Sequence, residues 1–169
     1  HQSSSNSMKK FILPVLALVF SFATATAQDA LPNINLKTLA GKPVNIQDYA
    51  APGKTTIISF WATWCTPCKK ELDAISKKYD QWQTDYGVEL VAVTIDDQRA
   101  LPRVKPMVNE KRWKYTVLSD VKQDFQHAMN VQTIPHTFVV KDGKIVYSHN
   151  GYLPGDENEL EAKLKALKG

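Results

Sequence analysis

The chain predicts an α/β fold: a central mixed β-sheet flanked by helices on both faces. Three observations predict it. The runs 55–61 and 88–95 are mostly apolar and rich in β-branched residues, as strands buried on both faces are. Between them Cys68, Leu72, Ile75, Tyr79 and Trp82 recur at spacings of four and three, the stripe of an amphipathic helix. Asp142-Gly143 separates two further β-rich runs, a strong hairpin signal. Strand, helix, strand, then helix, hairpin and helix is the order of a mixed sheet covered on two sides.

Taken in order, Asn33 to Leu39 and Pro43 to Ile46 flank Ala40-Gly41-Lys42 and predict an N-terminal β-hairpin, with one helical turn at Ile46 to Tyr49. The helix carrying the apolar stripe is expected to run on to Tyr86, with Gly87 as its stop. Strand 88–95 ends at Asp96-Asp97 and leads into a helix over Ala100 to Trp113, where Pro102 suits the first turn and Pro106 kinks or delays it. Thr116 to Leu118 is a short strand, and Asp124 to Met129 a helix capped from Ser119 or Asp120. His136 to Val140 and Lys144 to Ser148 form the hairpin. Glu157 to Leu167 is a closing helix with Leu160, Leu164 and Leu167 inward.

The N-terminal segment does not belong to this fold. His1 to Ser7 precede the apparent start methionine and read as upstream residues. Met8, Lys9-Lys10, the apolar run Phe11 to Phe22 and Ala23-Thr-Ala-Thr-Ala27 follow the order of a secretory signal, so residues 8–27 are expected to be a signal peptide cleaved after Ala27. The apolar run is shorter than the roughly 18 residues of a membrane span, and Pro14 interrupts it; an uncleaved anchor is the alternative. Residues 28–169 form the single expected domain. The expected location is outside the cytoplasm, periplasmic in a Gram-negative bacterium.

Of 169 residues 43% are hydrophobic and 22% charged, enough for one domain with a proper core. Loss of residues 1–27 removes Lys9 and Lys10 and lowers the formal charge from +4 to +2. The remaining charge is mixed, as in Lys69-Lys70-Glu71, and no dense basic stretch carries interleaved aromatics. No nucleic-acid partner is expected.

The only two cysteines, Cys65 and Cys68, lie where strand 55–61 hands over to the striped helix. On a helix, residues i and i+3 have Cβ atoms about 5–6 Å apart, whereas a disulfide needs roughly 3.5–4.5 Å. The gap closes if Cys65 sits at the helix entrance, outside helical backbone angles. A bridge over two intervening residues removes little unfolded-chain entropy, so the pair suits a bond that cycles rather than one that staples. With no second Cys-x-x-Cys and no His-x₃–₅-His, no metal site or cofactor is expected.

Phe60-Trp-Ala-Thr-Trp-Cys-Thr-Pro-Cys-Lys69 after a buried strand, with Thr133-Ile134-Pro135 ahead of the Asp-Gly hairpin, resembles the thioredoxin superfamily. The leader, the Cys68-Lys-Lys-Glu71 continuation and a helical insert after Asp96 resemble its exported TlpA/ResA-like thiol–disulfide oxidoreductases. The resemblance covers about Leu31 to Lys168. It implies a thioredoxin-like fold and a protein-disulfide reductase whose partners are disulfide-containing proteins and a membrane-borne thiol donor. The molecule is expected to act as a monomer, with a role in cytochrome c maturation or general redox homeostasis.

Within that reading Cys65, at a helix N-terminus where backbone N–H groups favour a thiolate, is the expected nucleophile. Cys68, one turn in, is the resolving thiol. Glu71 is the expected acid/base, its i+3 relation to Cys68 placing it on the same helical face, where burial raises a carboxyl pKa. Many cytoplasmic thioredoxins carry a buried aspartate where this chain has Ser59, which shifts proton transfer toward Glu71. The resemblance implies a cis bond at Pro135, although only about 5–6% of X–Pro bonds in folded proteins are cis. Trp64, Thr66, Pro67, Thr133, Ile134 and Pro135 are then the expected substrate contacts. Trp61, Trp82 and Trp113 are assigned to packing; His127, His136 and His149 to structural or exposed positions, with His136 alone placed to approach the site. The competing readings are a redox-inactive binding or chaperone domain and a thiol peroxidase. The second usually needs Thr-x-x-Cys, and Ala62 stands at that threonine position.

Overall fold

The computed structural model describes residues 29–168. The expected leader at 8–27 and the residues before it lie outside the described residues. Among the described residues seven strands form one mixed sheet: β1 (Asn35–Thr38), β2 (Pro43–Asn45), β3 (Thr55–Trp61), β4 (Glu89–Thr94), β5 (Thr116–Ser119), β6 (His136–Lys141) and β7 (Lys144–Asn150). Their order is β2-β1-β5-β4-β3-β6-β7. β3, β4 and β5 are parallel, and the hairpins β1–β2 and β6–β7 extend the sheet antiparallel on either side. The two runs read as doubly buried strands are the central β3 and β4; every residue of β3 is buried.

Among the described residues five α-helices accompany the sheet: α1 (Thr66–Ser76), α2 (Tyr79–Tyr86), α3 (Val104–Lys111), α4 (Asp124–Ala128) and α5 (Asp156–Lys168). α1, α2 and α5 contact one another. Across the sheet Phe125 of α4 stacks on Phe60 at 5.1 Å, and Phe138 meets Phe60 edge-on at 6.0 Å. Phe60 therefore faces α4 while its neighbours Ser59 and Trp61 face α1, following the strand period of two. Trp61 is fully buried against Trp113, rings edge to face at 5.3 Å, and Trp82 is fully buried. No helix of the described residues is long and apolar enough to cross a membrane.

Two helix expectations change. The single helix over Cys68 to Tyr86 is divided at Lys77-Lys78, although every stripe residue is buried as expected. The Lys78 ammonium bonds Asn158 Oδ1 at 2.7 Å and Glu161 Oε1 at 3.0 Å on α5, a tertiary anchor at the break that sequence periodicity does not register. The helix expected from Ala100 begins as a 3-10 turn at Leu101–Arg103, and α3 follows from Val104. Pro106 thus falls in the first turn of α3, where a missing N–H costs no helical bond.

Elsewhere local chemistry decides the turns. Asp142 and Gly143 both have positive φ (51° and 75°), as a tight two-residue hairpin turn requires. Asp120 is the cap for α4: its carboxylate accepts from Phe125 N at 3.2 Å and Gln126 N at 2.8 Å.

Candidate active site

Strands β3, β4 and β5 run parallel, so their carboxyl ends share one edge of the molecule. The antiparallel β6 begins there, with His136 opposite Phe60, and β7 ends there, with Asn150 opposite His136. This register brings Trp64 to Cys68 and Thr133 to Pro135 to the same end of the sheet.

Cys65 and Cys68 are disulfide-bonded, with Cα atoms 5.3 Å apart. Cys65 is the N-cap of α1 with an extended backbone (φ −95°, ψ 101°), which is how the i, i+3 gap closes. Its Sγ accepts the Cys68 N–H at 3.3 Å, and its carbonyl accepts the Lys69 N–H at 3.2 Å. A sulfur held against a first-turn N–H at the positive end of a helix is in the setting that favours thiolate. Pro67, in the first turn of α1, has no N–H to leave unpaired there. Cys65 is 5% exposed and Cys68 1%.

The loop before Cys65 is tied to the end of β4. Asp96, fully buried, accepts from Thr63 N at 3.0 Å, from Thr63 Oγ1 at 2.7 Å and from the Thr94 hydroxyl. Sequence reading treated Asp96 only as the end of a strand. Its signal was a carboxylate straight after a doubly buried run, where burial demands donors.

Glu71 is 4% exposed, on the sheet-facing side of α1. Thr137 Oγ1 of β6 donates to its Oε1 at 2.7 Å, and Ser59 Oγ of β3 lies 3.5 Å from the same oxygen. Burial pushes the Glu71 pKa up from the usual 4.5 to about 7, against the opposing pull of the Thr137 bond and of His149. The Glu71 carboxyl thus lies over Ser59, the position where a buried aspartate is found in many thioredoxins. Thr137 was not singled out in the sequence.

The Ile134–Pro135 bond is cis, and Pro135 is buried. Thr133 is exposed, but its carbonyl already accepts the Asn150 side-chain amide at 3.0 Å, and its hydroxyl lies 3.0 Å from Asn150 Oδ1. Among the described residues Ile134 makes no hydrogen bond through its N–H or C=O, so of the two its backbone is the one left open. Trp64 is 61% exposed, and Thr66 and Pro67 are exposed. Leu153, 72% exposed just beyond β7, adds an apolar group at this end of the sheet that the sequence reading missed. His136 turns away to stack on Phe138 at 4.4 Å, on the face opposite Glu71. An open pocket of about 810 Å³, lined by Leu36, Lys37, Leu101, Pro102, Lys105 and Val121 among others, includes none of the expected site residues.

Comparison with known proteins points to the same fold and to a redox family. A family model described as the AhpC/TSA family matches residues 27–148. The thiol-disulfide oxidoreductase ResA of Bacillus thuringiensis (strain Al Hakam) is 32% identical over 137 residues, covering 80% of this chain and 75% of that protein. The solution structure of an uncharacterized thioredoxin-like protein from Porphyromonas gingivalis is 46% identical with a TM-score of 0.73, covering 81% of this chain and 90% of that one. The crystal structure of a putative thiol:disulfide interchange protein DsbE from Chlorobium tepidum is 25% identical, also with a TM-score of 0.73, covering 84% of this chain and 97% of that one. Fold, cysteine pair and relatives agree, and the chain belongs to the AhpC/TSA family as a thioredoxin-fold thiol–disulfide oxidoreductase.

Proposed function

We propose that the protein reduces disulfides in extracytoplasmic proteins, with Cys65 attacking, Cys68 resolving and Glu71 carrying the proton. The observation that carries this reading is the Cys68 N–H directed at Cys65 Sγ at the mouth of α1. In the reduced protein the Cys65 thiolate attacks one sulfur of a substrate disulfide, and the other substrate sulfur leaves as thiolate. The Cys68 thiol gives its proton to the Glu71 carboxylate and attacks Cys65 Sγ. The second substrate sulfur then leaves, and the Cys65–Cys68 bond forms. The substrate gains two electrons, and a dithiol donor, membrane-borne in this reading, returns them to the protein. A carboxyl with a pKa of about 7 suits both halves of the cycle, since near neutral pH it accepts and donates with equal ease.

The open backbone of Ile134 pairs with the substrate chain beside Pro135, and Trp64, Thr66, Pro67, Thr133 and Leu153 supply the rim against which it docks. The leader-like order of residues 8–27 supports export of residues 28–169 to the periplasm, where such disulfide-bearing substrates, oxidised apocytochrome c among them, are found. The protein works as a monomer in this reading.

The test is insulin reduction coupled to dithiothreitol together with a redox titration of the Cys65–Cys68 pair. Turnover with a midpoint near roughly −270 mV supports a reductase. A midpoint near roughly −120 mV makes it an oxidase, and no turnover makes it a binding domain on this scaffold.

A further inference from the structure

Glu71 is buried, so any proton its carboxyl exchanges with solvent needs a path through the protein. Thr137, which bonds it, is the cross-strand partner of Ser59 on one side and of His149 on the other. Ser59, Thr137 and His149 therefore form one polar row across β3, β6 and β7, on the face covered by α1 and α5. The row runs from beneath Glu71 to the edge strand. There His149 Nε2 meets Asp156 Oδ2, in the first turn of α5, at 3.1 Å.

A crevice of about 10 Å³ follows the same course, lined by Glu71, Thr137, Tyr147, His149, Asp156 and Glu157 with Ile75 and Leu160 closing its sides. That is about the space of one water molecule, and the lining offers it several polar partners. His149 and Asp156 are both partly exposed at its outer end. An imidazole can accept a proton on one nitrogen while releasing one from the other.

We propose that the His149–Asp156 pair is the route by which the Glu71 carboxyl exchanges its proton with solvent, at the sheet edge rather than past the disulfide. The proton that Glu71 takes from Cys68 as the mixed disulfide resolves then passes through the crevice to His149 and is released to water; the reverse transfer recharges Glu71 when the disulfide is reduced. His149 touches no reacting sulfur and acts through Glu71, so it is a positioning residue. The groups facing Glu71 are Ser59 and Thr137 from β3 and β6, Tyr147 and His149 from β7, and Asp156 and Glu157 from α5, with Glu157 held by the Tyr152 hydroxyl at 2.7 Å. Of these, His149 draws the Glu71 pKa down and Asp156 pushes it up.

This inference rests on the proposed role of Glu71, and its test separates the two. Carbon-13 NMR of the Glu71 carboxyl, read against pH in the reduced full chain, should show opposite shifts of about half a unit: upward in His149→Gln and downward in Asp156→Asn. A general loosening of the fold moves both variants the same way. In His149→Ala, disulfide exchange near neutral pH should slow about tenfold and recover when imidazole is added to the buffer. Shifts of one sign or none, or a His149→Ala rate that imidazole does not restore, overturn the inference. A Glu71→Gln variant that keeps the wild-type pH–rate profile overturns the role given to Glu71 and the inference with it, whereas a changed profile in Glu71→Gln together with NMR shifts of one sign or none overturns the inference alone.

Discussion

Thr137 Oγ1 donates to Glu71 Oε1 at 2.7 Å, joining the second residue of β6 to a buried carboxyl on α1. The bond stabilises the charged form and so restrains a pKa that burial drives upward. Thr137→Val keeps the shape and removes the donor. The Glu71 midpoint should rise by about one unit above its value near 7, the worth of one hydrogen bond to a charged group. Carbon-13 NMR titration of the carboxyl reads it; an unmoved midpoint would show that the bond does not act on the charged form.

Glu71 also makes stability depend on pH, with a definite sign. The folded carboxyl keeps its proton up to about pH 7, while an unfolded glutamate releases it near 4.5. Between those values the folded state binds more protons, so stability falls as pH rises and levels off above about 7. The full loss is about 3 kcal/mol. Glu71→Gln should abolish this fall and be the more stable protein at pH 8. Urea unfolding at pH 4.5 and pH 8 checks it, and a wild-type protein no less stable at the higher pH would contradict it.

Asp96 holds the loop that presents Cys65. Asp96→Ala leaves two Thr63 donors and the Thr94 hydroxyl buried without their acceptor, at a cost of about 3 kcal/mol. The urea midpoint should drop accordingly, and disulfide exchange should slow because Thr63 lies two residues before Cys65. A loss under about 1 kcal/mol would mean that water replaces the carboxylate.

Trp64 is the opposite case, a large apolar side chain that burial does not explain. Trp64→Ala should leave thermal stability within about 0.5 kcal/mol of wild type, as exposed substitutions do. It should raise KM for a protein disulfide several-fold while exchange with a small disulfide is unchanged. Equal effects on both substrates would place Trp64 in the chemistry rather than in docking.

What the sequence made legible follows from how local each signal is. Asp142-Gly143, the apolar run of β3 and the stripe from Cys68 to Trp82 each act through neighbours in the chain: the hairpin and the strand form as read, and the stripe is buried as read although two helices carry it. The break at Lys77-Lys78 goes with partners more than seventy residues away on α5, which no periodicity contains. The site divides along the same line. The cysteine pair and the i+3 position of Glu71 are local facts. The meeting of Glu71 with Thr137 and Ser59, and the ladder neighbour His149, depend on strand register between β3, β6 and β7. Thr133 shows the limit from another side: exposed as a substrate contact should be, it has its carbonyl taken by Asn150.

The central claim is that Cys65 attacks and Cys68 resolves. It is tested most directly by mixing each reduced single-cysteine variant with a disulfide-bonded protein and weighing the products by mass spectrometry. Cys68→Ser should accumulate a covalent adduct through Cys65 that dithiothreitol releases, while Cys65→Ser should form none and turn over nothing. An adduct or turnover in Cys65→Ser, with Cys68→Ser left free, would contradict the account.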